Sequence, residues 1–129
     1  MKKAVRYYSR LGNTRTIAEA IAEGAGANAV SITDEPMLTE YVDVLFLGGA
    51  PYANIMAPEL KAYAESLDAA KVGKVALFTT SNWSRRTVLA LKKLLKGKGI
   101  AVADEYFYAH MLHIKGRTDA ARAFGRKNG

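Results

Sequence analysis

The stretch AVRYYSRLGNTRTIAEAIAEG, residues 4–24, decides how the rest of the chain is read. Residues 4–8 form a short apolar run that reads as a strand, and from residue 13 to residue 25 Ile17, Ala18, Ile21 and Ala22 recur along one face of a helix. The join, Ser9-Arg10-Leu11-Gly12, is a tight strand-to-helix loop. It brings hydroxyls at Ser9 and Thr14 and an amide at Asn13 to the start of the helix. Backbone N–H groups there have no partner within the helix and lie at the positive end of its dipole, so the loop suits an anion, and Gly12 lets the backbone bend around it. The same residue types also serve as a plain N-terminal cap, and the sequence leaves both readings open.

Strands and helices alternate downstream. Residues 28–32 (NAVSI) predict a second strand closed by Thr33-Asp34-Glu35-Pro36, and residues 33–41 are too short for a helix of their own. The run from Val44 to Ala50 is continuously apolar, which suits a strand buried on both faces of a parallel sheet. Pro58 fits the first position of a helix carrying Leu60, Tyr63, Ala64 and Leu67. Residues 74–80 predict another buried strand. Ser84 is placed to cap a helix over 85–96 with Val88, Leu91 and Leu95 inward, stopped by Gly97 and Gly99. Residues 100–109 predict a final edge strand interrupted by Asp104 and Glu105, and a last helix runs from Thr118 or Asp119 to about Arg126. The expectation is a single α/β domain over residues 1–129, with a mostly parallel sheet covered on both faces. In such sheets ligands bind beyond the carboxyl ends of the strands, where strand order reverses.

Composition narrows the chemistry. With no cysteine among 129 residues there are no disulfides, thiolate metal sites or cysteine nucleophiles, and redox chemistry requires a bound cofactor. The N-terminal apolar run is broken by Arg6 and fails as a signal peptide, and no stretch approaches a membrane span, so a soluble cytoplasmic protein without membrane contact is expected. The net charge of +7 is uneven: residues 1–15 hold five cations and no acid, and residues 85–98 hold six and no acid. Such an excess suits an acidic protein, an anionic small ligand or nucleic acid, or is a solvated face. No nucleic-acid-binding module is present, so that partner is not expected. His110 and His113 lie three apart, a spacing that converges on a helix, yet they fall at a strand end and loop, and no metal site is expected. No catalytic constellation for hydrolysis stands out. There is no triphosphate loop, no dinucleotide Gly-x-Gly-x-x-Gly, and no acidic pair after the first strand of the kind a receiver domain carries.

Residues 4–24 resemble the opening of the flavodoxins: an apolar strand, a hydroxyl-rich Gly-Asn-Thr loop and a helix. The resemblance continues along the whole chain in element order and length, and is to the short-chain branch. It implies a three-layer sandwich with a five-stranded parallel sheet in the order 2-1-3-4-5, and flavin mononucleotide (FMN) as cofactor. On that reading Ser9, Asn13 and Thr14 meet the phosphate through side chains, and Arg10, Leu11 and Gly12 mainly through backbone. Leu11 stands where many flavodoxins have a hydroxyl, a loss Arg10 can offset. Pro51, Tyr52, Ala53, Asn54, Ile55 and Met56 form the loop against one face of the flavin ring; no glycine lies between Gly49 and Gly73 to serve as the peptide that hydrogen-bonds flavin N5, and Asn54, the residue most tolerant of positive φ, takes that position. Thr80, Ser81, Asn82 and Trp83 close the other side, Trp83 by stacking and the others by hydrogen bonds. The implied function is electron transfer to or from a redox partner protein, with no catalytic residue. A flavodoxin-fold NAD(P)H-dependent reductase of a quinone or other small molecule is the alternative, and a flavin-free anion- or protein-binding domain a third. Many flavodoxins are acidic. This chain is basic, which implies an acidic partner and a raised reduction potential for the anionic reduced flavin.

Overall fold

The computed structural model describes residues 1–52, 55–81 and 84–128, with the backbone alone for Tyr52. In chain order the elements are β1 (Lys3–Tyr8), α1 (Asn13–Ala25), β2 (Ala29–Ser31), β3 (Val42–Gly49), β4 (Pro51–Tyr52), β5 (Ile55–Met56), α2 (Pro58–Ser66), β6 (Val72–Ser81), α3 (Arg86–Gly97), β7 (Phe107–His110) and α4 (Thr118–Asn128). β4 and β5 make a small antiparallel hairpin. The other five strands form one parallel sheet in the order β2-β1-β3-β6-β7, the 2-1-3-4-5 order once the hairpin is set aside. Strand order reverses between β1 and β3, which are paired from Lys3 with Val44 to Tyr8 with Gly49.

Alternation along the central strands explains their unbroken apolar runs. Leu45 and Leu47 of β3 and Val75 and Leu77 of β6 enter one core, with Leu60, Tyr63 and Ala64 of α2 and Val88, Leu91 and Leu95 of α3. Val44, Phe46, Ala76 and Phe78 point the other way, to Ile17, Ile21 and Ala22 of α1 and Ala121 and Phe124 of α4. Each large side chain so buried stabilises the fold by about 1.5–3 kcal/mol. On the α1/α4 face the helices meet backbone to backbone. A Cβ on Gly24 would collide with the carbonyl of Arg122, and one on Gly125 with the carbonyl of Ile21.

Three local expectations are corrected. The final strand over 100–109 is two pieces, a single bridge of Val102 to Val75 and then β7, because Asp104 and Glu105 turn to solvent and Glu105 pairs with Lys127 at 2.8 Å. The cap of α3 is Arg85 rather than Ser84, although the Ser84 hydroxyl still accepts the Arg86 N–H at 3.3 Å. Gly97 is the last helical residue, and the turn beyond it passes through Gly99.

Residues 33–41 contain no helix, as their length implied. Near this segment Arg6, on β1, pairs with Glu35 at 2.9 Å. Tyr63 is buried, and its hydroxyl has no hydrogen-bond partner. Burial, with the charge of Glu35, pushes the Tyr63 hydroxyl above its ordinary pKa, against the nearby Arg6, whose guanidinium faces the hydroxyl without a hydrogen bond of good geometry.

Candidate functional site

The loops after β1, β3 and β6 converge at the carboxyl edge of the sheet, at the point where its order reverses. They enclose a cleft of about 310 Å³ lined by Ser9, Leu11, Asn13, Thr14, Ala50, Pro51, Thr80, Ser81, Ser84 and Met111. That volume is at the small end for sites that hold organic cofactors.

The first loop is held in shape before any ligand enters. The Ser9 hydroxyl accepts the Gly12 N–H at 2.9 Å, and Gly12 has φ +92°, a conformation that favours glycine. The first helical hydrogen bond of α1 runs from the Thr16 N–H to the Gly12 carbonyl at 3.1 Å. The N–H groups of Asn13, Thr14 and Arg15 therefore have no carbonyl within the helix, and the capping residue Gly12 supplies no side-chain bond to them. Ser9 serves the loop rather than the helix. The side-chain cap that the sequence left open is therefore not formed.

Hydroxyl pairs tie the loops together. Thr14 Oγ1 and Thr80 Oγ1 lie 2.8 Å apart and are buried, joining α1 to the end of β6. Thr79 Oγ1 donates to the Gly49 carbonyl at 2.7 Å, fixing β6 to the end of β3. The Ser81 hydroxyl donates to the Ser84 carbonyl across the third loop, and the Tyr108 hydroxyl donates to the Ser81 carbonyl at 3.1 Å. Buried hydrogen bonds of this kind contribute about 1 kcal/mol each, but leave a cost of about 1–3 kcal/mol when one partner is removed.

The structure sorts the residues singled out from the sequence. Ser9, Leu11, Asn13, Thr14, Pro51, Thr80 and Ser81 line the cleft together, with Leu11 largely exposed at its mouth. Gly12 shapes the loop from behind. Arg10 is directed elsewhere: its guanidinium lies over the Tyr8 ring, donates to the Tyr8 hydroxyl at 3.3 Å and pairs with Glu59 at 3.9 Å. Tyr8 in turn donates to Glu59. That hydrogen bond, then the backbone amide of Glu59 and the charge of Arg10, hold the Glu59 carboxyl below its ordinary pKa. Ile55 and Met56 sit in the hairpin strand β5, Ile55 exposed. Ala53, Asn54, Asn82 and Trp83, and the side chain of Tyr52, lie outside the described residues.

Ala50, Ser84 and Met111 line the cleft without having been singled out for it, Ser84 having been read only as a helix cap. Met111 follows β7, whose carboxyl end lies beside that of β6, so the sheet-edge rule carried one strand further finds it. The two histidines depart from expectation. A turn after β7 brings the rings of His110 and His113 to 5.4 Å, with His110 Nδ1 accepting the Leu112 N–H at 3.1 Å. Among the described residues no group of three or more His, Asp or Glu side chains gathers as a metal site. No helix among them is long and apolar enough to cross a membrane.

Comparison with solved structures bears on this architecture. A flavodoxin from the domain Archaea is similar over 98% of this chain and 95% of its own, with a TM-score of 0.82 and 19% identity. Oxidised flavodoxin 1 from Bacillus cereus is similar over 95% of this chain and 94% of its own, at 0.77 and 21%. A Fusobacterium nucleatum flavodoxin variant solved with flavin mononucleotide bound is similar over 99% and 95%, at 0.70 and 15%. The fold is that of the short flavodoxins. No protein-family model and no curated protein matches the chain.

Proposed function

We propose that the cleft holds FMN noncovalently and that the chain acts as an electron-transfer protein of the cytoplasm. The observation that carries this reading is the start of α1, where three backbone N–H groups without carbonyl or side-chain caps stand beside Ser9 and Asn13 at a cleft whose apolar walls are Leu11, Ala50, Pro51 and Met111 and whose far end carries the hydroxyls of Thr80, Ser81 and Ser84. That donor set suits a phosphate monoester, and the apolar walls suit a flat ring system.

In this reading the amides of Asn13, Thr14 and Arg15 hold the phosphate, Ser9 and Asn13 add side-chain polar groups, and Gly12 keeps the loop open. The Thr14–Thr80 and Thr79–Gly49 bonds fix the walls so that little ordering remains to be done on binding. Arg10, committed to Tyr8 and Glu59, is not needed as the phosphate's counter-charge. Bound flavin would supply reversible uptake of one or two electrons, while the chain supplies orientation, partial exclusion of water and a positive field.

The test is a comparison of FMN with riboflavin by quenching of flavin fluorescence. FMN is expected to bind at least ~100-fold more tightly, as two or more charge-assisted hydrogen bonds to the phosphate require. Equal affinities would remove the phosphate site, and no quenching by either would remove the flavin.

A further inference from the structure

At the mouth of the cleft the surface is unusually apolar. Leu11, Ile55, Met111 and Leu112 are 80%, 59%, 40% and 77% exposed. They account for four of the eight large apolar side chains exposed among the described residues. Leu11 and Met111 line the cleft, Ile55 pairs with Tyr52 in the hairpin whose Pro51 lines it, and Leu112 follows Met111. A cluster of this kind beside a cleft marks a contact surface rather than scattered exposure.

Charge is distributed unequally around it. On the β1/β2 side three arginines are paired: Arg6 with Glu35, Arg10 with Glu59 and Arg15 with Glu19. On the β6/β7 side stand Arg85, Arg86, Lys115 and Arg117; Glu105 lines the same groove as Arg85 and Arg117 but pairs with Lys127 at 2.8 Å, and Asp119 pairs with Arg122 at 2.7 Å. None of Arg85, Arg86, Lys115 and Arg117 forms an ion pair among the described residues. Two are held on aromatic rings: the Arg85 guanidinium lies 5.5 Å from the Tyr108 ring centre, and that of Arg117 lies 4.9 Å from the Phe107 ring centre and donates to the Tyr108 carbonyl at 3.2 Å. Cation–π contacts fix the position of a charge without neutralising it.

We propose that this face, the apolar rim of Leu11, Ile55, Met111 and Leu112 together with Arg85, Arg86, Lys115 and Arg117, is the docking surface for an acidic protein. Describing that protein as a redox partner rests on the FMN reading; the docking itself does not. An apolar centre bordered by unneutralised charge on one side is the pattern of a transient interface whose field steers and orients its partner. A second copy of the chain is disfavoured by its own charge of +7. Single-stranded nucleic acid is disfavoured because the rim is aliphatic, and the rings of Phe107 and Tyr108 are already covered by arginines.

The experiment is an NMR titration of the labelled, FMN-reconstituted protein with an oxidised acidic b-type cytochrome, and separately with a basic c-type cytochrome. Amide shifts are expected with the acidic protein alone, centred on residues 11, 55, 85–86 and 111–117. Affinity is expected to fall ~10-fold or more between about 20 and 200 mM salt. The exposed double variant Arg86→Glu/Lys115→Glu should weaken binding at least ~10-fold and flatten the salt dependence, whereas Leu112→Ser should weaken it with the dependence unchanged. Retained dispersion of the free spectra establishes that the variants are folded. Shifts centred on Lys92, Lys93, Lys96 and Lys98, equal binding of the basic cytochrome, absence of any shift, or displacement of the cytochrome by substoichiometric single-stranded oligonucleotide would each overturn the proposal. Flavin absorbance near 450 nm in the same tube separates the two ideas. Cytochrome binding without flavin retention defeats the cofactor reading alone, and flavin retention without cytochrome binding defeats the docking surface alone.

Discussion

The two faces of the sheet are closed by different means. On one, α1 and α4 approach until backbone touches backbone, at Gly24 against Arg122 and Gly125 against Ile21. On the other, α2 and α3 pack through leucines, and the segment between β2 and β3, which has no helix, adds Ile32 and Leu38 to that core and pairs Glu35 with Arg6. The tight face is the one that carries α1, whose first amides are those proposed to hold the phosphate. The looser face carries the unpaired buried Tyr63 hydroxyl. The closer packing lies on the side of the sheet from which α1 enters the cleft.

The comparison is broken most severely by giving the tight face a side chain. Gly125→Ala is expected to cost about 3 kcal/mol or more in urea denaturation, because neither the Ile21 carbonyl nor the helix behind it can retreat cheaply; a neutral substitution would mean that α1 and α4 slide freely. Thr80→Val, which strands the buried Thr14 hydroxyl, should cost about 2 kcal/mol, and adding Thr14→Val should recover part of that loss. Gly12→Ala should cost about 1 kcal/mol through its positive φ and also weaken FMN binding measured by fluorescence.

The looser face responds in the opposite sense. Tyr63→Phe removes a buried hydroxyl without a partner and should raise stability by about 1 kcal/mol. It also alters the alkaline limb. Because the Tyr63 pKa is raised in the folded state, its contribution is fully present below the ordinary tyrosine pKa and is lost as pH rises through the folded value. The phenylalanine variant should therefore lose less stability above about pH 10. The smallest effect concerns Glu59, which is exposed: its carboxyl should titrate by NMR below the usual range in the native protein and move back toward it in Tyr8→Phe.

Much of this could be read from the sequence because the physics is local. The alternation hidden within Val44–Gly49 requires two buried faces, and Asn13 begins α1 where the loop chemistry said it should. Pro58 opens α2 for the same kind of reason. What escaped depends on residues distant in sequence. Nothing near Arg10 indicates that Glu59 will draw it away from the cleft, and nothing near Thr80 indicates Thr14. The break before β7 is signalled by Asp104 and Glu105, set within an otherwise strand-like run of ten residues. The approach of His110 to His113 depends on a turn whose shape the spacing of three does not reveal.

The glycine contact between α1 and α4 also bears on how the molecule is made. The two surfaces are about a hundred residues apart in the chain, so on the ribosome α1 emerges long before the helix that clamps it. Until residues 118–128 arrive, the apolar side of α1 has only the young sheet to rest on, and the loop of residues 9–12 at its head lacks its final support. Folding is then closed by its most distant pairing, an arrangement of high contact order. A nascent chain stalled before α4 should expose that stripe to chaperones, and release of the last helix should end the exposure.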